Sequence, residues 1–265
     1  MVLNRLQYKS ILVRILLSNL CTPVKIFIKL ALIALLSNSV IAAERVIYDL
    51  DLRDNIFYAE GESEPYTGIY ESRYPNQNIK QRSGILSGRL DGAFTQFYIN
   101  GHKELEINFS YGVIDGPESQ WYENGQLKLQ TMHINGVKNG FQTEWFEDGQ
   151  LKLKVNIVNN KREGELTQWH PNGNKFIVSS HKNGAFDGKV TIWFESGQKG
   201  TESNYKNAQK HGPHTRWHEN GQKREQGNYV DGDLEGEFTI WNDNGDVTTK
   251  AKYSKGVKIS DNSSD

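Results

Sequence analysis

From Gly68 onward, short apolar and aromatic runs alternate with polar breaks centred on glycine, and the alternation is periodic. Gly68, Gly92, Gly116, Gly140, Gly164, Gly188, Gly212 and Gly236 stand 24 residues apart without an insertion. With these glycines as offset zero, offset 5 holds Phe97, Trp121, Trp145, Trp169, Trp193, Trp217 and Trp241, which include all 6 tryptophans of the chain. Offsets 8 and 9 hold Asn-Gly or a close variant, as in Asn124-Gly125 and Asp148-Gly149, and a second glycine recurs at offset 20. The space between glycines is too short for an ordinary helix. Aromatic and threonine residues flanking Asn-Gly signal a hairpin. The chain therefore reads as all-β: an elongated antiparallel β-meander, or open solenoid, of about eight 24-residue β-hairpin repeats.

The turn at offsets 7 to 9 follows from the side-chain pattern. Offsets 11, 13, 15 and 17 carry apolar residues such as Leu127, Leu129, Val155 and Ile157, while offsets 12 and 14 carry Lys128, Lys152 and Lys154. A two-residue Asn-Gly loop would set offset 5 opposite 12 and mix tryptophan with lysine. A three-residue loop such as Glu123-Asn124-Gly125 sets 5 opposite 11, as a type I turn closed by a left-handed glycine. Extended strictly by the period of two, this pairing puts tryptophans and leucines on one buried face and charges on the other. The offset-5 aromatics then form a structural ladder.

One set breaks the alternation. In the repeats that begin at Gly164 and Gly188, Leu166, Phe176, Val178, Val190, Ile192 and Phe194 all lie at even offsets, where the other repeats are mostly polar. Leu166 is expected opposite Val178. An exposed apolar patch of this kind marks an interaction site, for another protein or for a second copy of the chain.

Ahead of the repeats, residues 1–43 read as a signal-like leader. Lys25 and Lys29 precede the apolar run Leu30 to Leu36, and Val40 and Ala42 fit the small-residue positions of a cleavage site. The run is shorter than the roughly 20 residues that span a bilayer. After cleavage at Ala42 or Ala43 no integral span is expected, and the protein would lie in the periplasm or envelope of a bacterium. Residues 1–23 fit a normal signal peptide poorly, and translation from Val24 is one explanation, since it would leave a leader of ordinary length. Residues 44–67 are a lead-in or cap, 68–259 the repeats, and 260–265 a polar tail.

Charge and cysteine narrow the function. Removing the leader's five basic residues from the net charge of −1 leaves the rest at −6, which argues against nucleic acid. The only cysteine, Cys21, lies in the leader. The mature chain thus lacks thiolate metal sites, disulfides and cysteine nucleophiles. His211, His214 and His218 cluster, but two of the seven offset-6 aromatics are histidine, so drift within the repeat explains them, and no metal or other cofactor is expected. No catalytic motif interrupts the repeat, so the chain is not expected to be an enzyme.

The pattern Gly116-Pro-Glu-Ser-Gln-Trp-Tyr-Glu-Asn-Gly-Gln-Leu-Lys128, matched again from Gly212 to Lys223, resembles the MORN-variant repeat; the lead-in Asn55 to Gly68 resembles that family's opening segment. The resemblance covers residues 55 to about 258. It implies β-hairpin repeats, protein contacts and no catalytic residues, with an antitoxin- or immunity-like role often attached to such proteins. The expected function is a non-enzymatic envelope scaffold for protein binding. The alternatives are a glycan or cell-wall module that stacks sugars on the aromatic rows, and, more weakly, a metal-dependent enzyme.

Overall fold

A computed structural model describes residues 45–261. Among them are 22 strands and no helix. Twenty strands form one sheet. The short strand Val46–Ile47 pairs in parallel with Ile69 and Tyr70. From Gly68–Arg73 to Val257–Asp261 the chain then runs as an antiparallel meander, with Val137–Lys138 and Gly140–Trp145 sharing the partner Leu127–Ile134, and Asp233–Leu234 and Gly236–Trp241 sharing Lys223–Val230. The last of these strands takes up the first two residues of the expected tail. Leu50–Arg53 and Ile56–Ala59 make a separate hairpin.

Two turn types alternate. At the Asn-Gly turn, the Tyr122 amide donates to the Gln126 carbonyl and the Gly125 amide to the Tyr122 carbonyl, and Gly125 has φ of 87°. This is the expected three-residue loop, with the left-handed residue a glycine can supply without strain. The return turn at offsets 19 and 20 is a two-residue loop with two positive φ values, as at Asn135 and Gly136 (49° and 79°). That is the type I′ geometry for which Asn-Gly is best suited.

The faces differ from the expectation at one residue per repeat. Trp145 lies opposite Leu151, as predicted, but Glu144 lies opposite Leu153, Gln142 opposite Val155 and Gly140 opposite Ile157. Lys152, at offset 12, has no partner across the ladder: it is a β-bulge, and the same shift recurs in every repeat from Gly68 onward. An extra residue in one strand reverses every later side chain relative to the partner strand. Offsets 13, 15 and 17 therefore join 2 and 4 on a core face. Offsets 1, 3, 5, 11, 14 and 16 make the other face, which carries the tryptophans. Leu153, Val155, Ile157 and Leu166 form a buried cluster on the core face with Ile177 against it. Rings link successive strands there, His181 to Phe186 (4.8 Å between centroids) and Phe186 to Tyr205 (5.3 Å). The lead-in covers the first repeat: Ala59, Tyr66 and Ile85 are buried together, with Phe57, Tyr70 and Leu90 around them. Gly88 permits this docking, since a Cβ there would lie 2.3 Å from Ile56 Cγ2 and 2.9 Å from the Phe57 carbonyl oxygen.

Both ends of the strands are laced from repeat to repeat. Along the Asn-Gly edge the Asn124 amide donates to the Glu147 carbonyl (2.9 Å) while its own oxygen accepts from the Gln126 amide. Asn100, Asn172 and Asn220 donate in the same way to Glu123, Glu195 and Asp243. Beside them the offset-6 side chain reaches the next repeat's offset-5 carbonyl: Tyr98 to Trp121, Tyr122 to Trp145, His170 to Trp193 and His218 to Trp241. Along the opposite edge the carboxylates of Asp91, Glu163 and Glu235 at offset 23 accept the amides of Tyr111, Asn183 and Lys255. The offset-20 amide donates to the previous repeat's offset-22 carbonyl, as from Gly112 to Leu90 (2.7 Å). Polar backbone groups at the strand ends are thus paired between repeats rather than within them.

Ser196 and Asp148 occupy the asparagine position without an amide to donate. Ser196 only accepts, weakly, from the Gln198 amide (3.4 Å). Ser196→Asn should complete the lace to the Glu219 carbonyl and raise stability by about 0.5–1.5 kcal/mol, the net worth of one added hydrogen bond. Asn124→Ala should lower it by a similar amount. Urea unfolding of both variants checks the pair.

Candidate functional site

The apolar set singled out in the sequence does not form one exposed patch. Leu166 and Val190 are 3% and 5% exposed. Both lie on the core face, where Leu166 is opposite Ser179 and Val155 rather than Val178. Ile192, opposite Thr201 and Ile177, is half-buried on that face. Phe194 rests where a Cβ on Gly200 would be, 3.1 Å from its ring. Phe176 is the bulge residue and packs edge-on against His170 (5.0 Å). Val178 alone joins the tryptophan face, opposite Thr167 and Thr191. The expectation treated offsets 2 and 14 as facing partners; the bulge makes 15 the partner of 2.

The offset-5 row also lies differently from its expected place. Phe97, Trp121, Trp145, Trp169, Trp193, Trp217 and Trp241 are half-buried, and they stand on the face opposite the core. Threonines at offset 3 are buried between them, Thr95, Thr167, Thr191 and Thr239 among them. Lysines at offset 11 lean over the next repeat's ring: Lys103 Nζ lies 5.5 Å from the Trp121 centroid, Lys199 6.0 Å from Trp217 and Lys223 5.9 Å from Trp241. Where leucine occupies offset 11, no ammonium covers the ring.

Grooves open along this row. One is lined by His102, Lys103, Trp121, Asn124, Gly125 and Gln126, between two successive turns. Another runs between the last two repeats, with Pro213 and Trp241 as walls and Gln226, Asn228, Glu237 and Thr239 between them. Each offers the edge or face of one indole beside amides and hydroxyls. Such a surface offers stacking and hydrogen bonding, with Lys103 in one groove and Glu237 in the other as charged groups.

The three clustered histidines separate. His211 meets Asp231 (3.2 Å) at one edge, and His218 joins the lace at the other. His214 sits on the core face, 2% exposed, with Nδ1 2.7 Å from Ser203 Oγ and Nε2 3.0 Å from Glu225 Oε1. These distances suit the neutral imidazole: Nε2–H donates to the carboxylate and Nδ1 accepts the hydroxyl. Ser203, also 2% exposed, is closed to any substrate, so the group is a buried polar network that ties three strands together. Burial lowers the His214 pKa, against the raising effect of Glu225 and with help from Lys210 and Arg216. Burial likewise lowers that of His181, aided by Arg162. Burial raises the Glu225 carboxyl, but the His214 hydrogen bond and the Arg216 charge outweigh it and leave it below its ordinary value.

These shifts fix a sign. Both histidines are held neutral in the fold, so below about pH 6.5 the unfolded chain takes up protons that the folded chain refuses. Stability should fall with pH through that range by up to about 1.4 kcal/mol per unit for each histidine. Urea titrations at pH 7 and 5.5 should show the slope, and His214→Asn should flatten it. An unchanged slope in the variant would sink this assignment.

Legible in the sequence were the row of offset-5 aromatics and the turn; the histidines that cluster in the sequence do not cluster in the fold. Missed were the bulge, the carboxylate at offset 23 and the lacing role of offset 6. The recurrence of Asp or Glu before five of the eight repeat glycines, in Asp91, Asp115, Glu163, Asp187 and Glu235, was the available signal for the second.

Comparison with curated proteins gives no match. The family model described as the MORN repeat variant matches residues 114–135 and 210–231. The two stretches begin at the same phase of the 24-residue period, and the same strands, bulges and turns continue between them, so the intervening repeats have the same build as the two stretches that are similar to the MORN repeat variant.

Proposed function

We propose that this protein is an exported, non-enzymatic scaffold that binds an elongated macromolecule along its tryptophan face. One observation carries the reading. Every repeat from Gly92 on presents one half-buried offset-5 aromatic at the same register, on the face opposite the core. Packing alone would place such rings with Leu153 and Val155; here they stand among threonine, amide and lysine side chains, beside grooves. Large rigid aromatics contribute contact area at low entropic cost, which suits recognition. A ligand that meets several repeats gains by linkage what no single groove supplies.

A protein partner, in the antitoxin- or immunity-like role that the family suggests, is the second reading. Phe141, 63% exposed, and Met132, 41% exposed, favour it, since they add apolar surface to the tryptophan face beside Trp145.

Two experiments test the proposal. A photo-crosslinking residue at Asn228, in the tryptophan-face groove, should trap a partner species in intact cells, while the same residue at the core-face Arg216, whose side chain is 41% exposed, should not. Equal trapping at both positions would overturn the assignment of the face. The leader lies outside the described residues. N-terminal sequencing of the mature protein should begin at Ala43 or Glu44, and an intact leader on soluble protein would remove export from the proposal.

A further inference from the structure

The tryptophan face carries cations beside its rings in several units, most densely from Gly164 onward, and none in the unit that begins at Gly116. The lysines at offset 11, Lys103, Lys175, Lys199 and Lys223, are exposed and follow the ring row. In the last four repeats Lys175, Lys189, Lys199 and Lys223 stand on this face against Glu165, Glu202 and Glu237, and Lys250 and Lys252 extend the excess. Glu202 is shared by Lys189 and Lys199 (3.0 and 2.9 Å). Lys223 Nζ donates to the uncharged Gln226 (2.8 Å). Many acids of the repeats lie at the two edges instead, at offset 7 in Glu123, Glu147 and Glu195, and at offset 23, where backbone amides hold them. A chain whose net charge is negative without its leader thus carries a basic stripe along one face.

The spacing is set by the sheet. Equivalent tryptophans are two strands apart, about 9.5 Å at ordinary strand separation. An extended β-linked polysaccharide presents the same ring face at every second sugar, over nearly the same distance. A nucleic-acid strand carries a base and a phosphate at every residue, which is denser than one ring per repeat and a cation in only some of the repeats.

We infer that the tryptophan face binds an acidic polysaccharide laid along the repeats, one disaccharide to each, with sugar rings over the tryptophans and carboxylates on the lysines. The inference rests on the face assigned above. An ammonium poised over an exposed ring gains little there. Lys199 is also held by Glu202 and Lys223 by Gln226, surface contacts worth little that a sugar carboxylate would replace, leaving the indole for the sugar. Gln226, Asn228 and Thr239, between Pro213 and Trp241, supply donors and acceptors for hydroxyl and acetamido groups.

Intrinsic fluorescence reads this site directly, because all 6 tryptophans lie in the row. The full mature chain is titrated with hyaluronan oligosaccharides from tetrasaccharide to dodecasaccharide, with oligogalacturonate, with neutral cello-oligosaccharides and with a single-stranded oligodeoxynucleotide. The expected result is a fluorescence change with an acidic oligosaccharide and an affinity that climbs with its length. Lys199→Gln with Lys223→Gln should weaken that binding by about tenfold or more and leave the melt at its wild-type position. Trp217→Ala should weaken it too, and the lysine pair keeps the test valid if that variant unfolds. Equal affinity for the neutral series, or for the oligodeoxynucleotide, would overturn the inference. So would silence with every acidic oligosaccharide. If crosslinking at Asn228 still traps a partner in that case, the binding face stands and only its ligand class falls.

Discussion

A single-residue bulge beside each tryptophan governs the rest of this molecule. In a sheet the side chains alternate, so two strands of a hairpin share faces in a fixed order. One unpaired residue at offset 12 shifts that order, and it does so identically in successive repeats. The aliphatic residues of the second strand are thereby directed away from the tryptophans and onto the side that carries Leu166 and Val190. A hydrophobic core and an aromatic surface, which one unbroken ladder would have merged, become opposite faces of the same sheet. Bulges also bend strands and increase twist, which lets one layer bring its own side chains together without a second sheet behind it.

A single layer must still satisfy its ends. Each hairpin leaves backbone groups at both turns that no residue of its own can reach, and an isolated hairpin is marginal in water. Here the neighbour supplies the missing partner: an asparagine amide and a tyrosine or histidine at one edge, a carboxylate and a glycine amide at the other. Every such bond crosses from one repeat to the next, so stability belongs to the interfaces more than to the units. Residues that look like turn formers in the sequence are also the ties between turns.

The same arrangement relates structure to binding. Because the core and the laces hold the backbone, the tryptophan face is free of structural duty beyond its buried threonines, and its composition drifts along the chain. It is apolar near Phe141 and Met132, and rich in lysine and amides toward Trp241. On the core face drift takes a different form. The aliphatic cluster around Val155 gives way to Ser203, His214 and Glu225, which pair with one another because a buried polar group without a partner is costly.

The repeat, its period, the strand content and the three-residue turn were all legible in the sequence, since each depends on local chemistry: glycine where φ is positive, asparagine where its side chain caps a turn, aromatic and branched residues where strands run. The row of tryptophans was legible too, but not the side on which it stands. Its face depends on the bulge, and a bulge is a matter of which residue lacks a cross-strand partner. The same chain of Lys152, Leu153 and Lys154 fits an unbroken ladder or a shifted one equally well by pattern. Only the folded sheet, in which Leu153, Val155 and Ile157 bury together against Leu166, decides between them. The candidate patch was misread for that reason, and the basic stripe was invisible, because it gathers side chains whose common face exists only once the register is set.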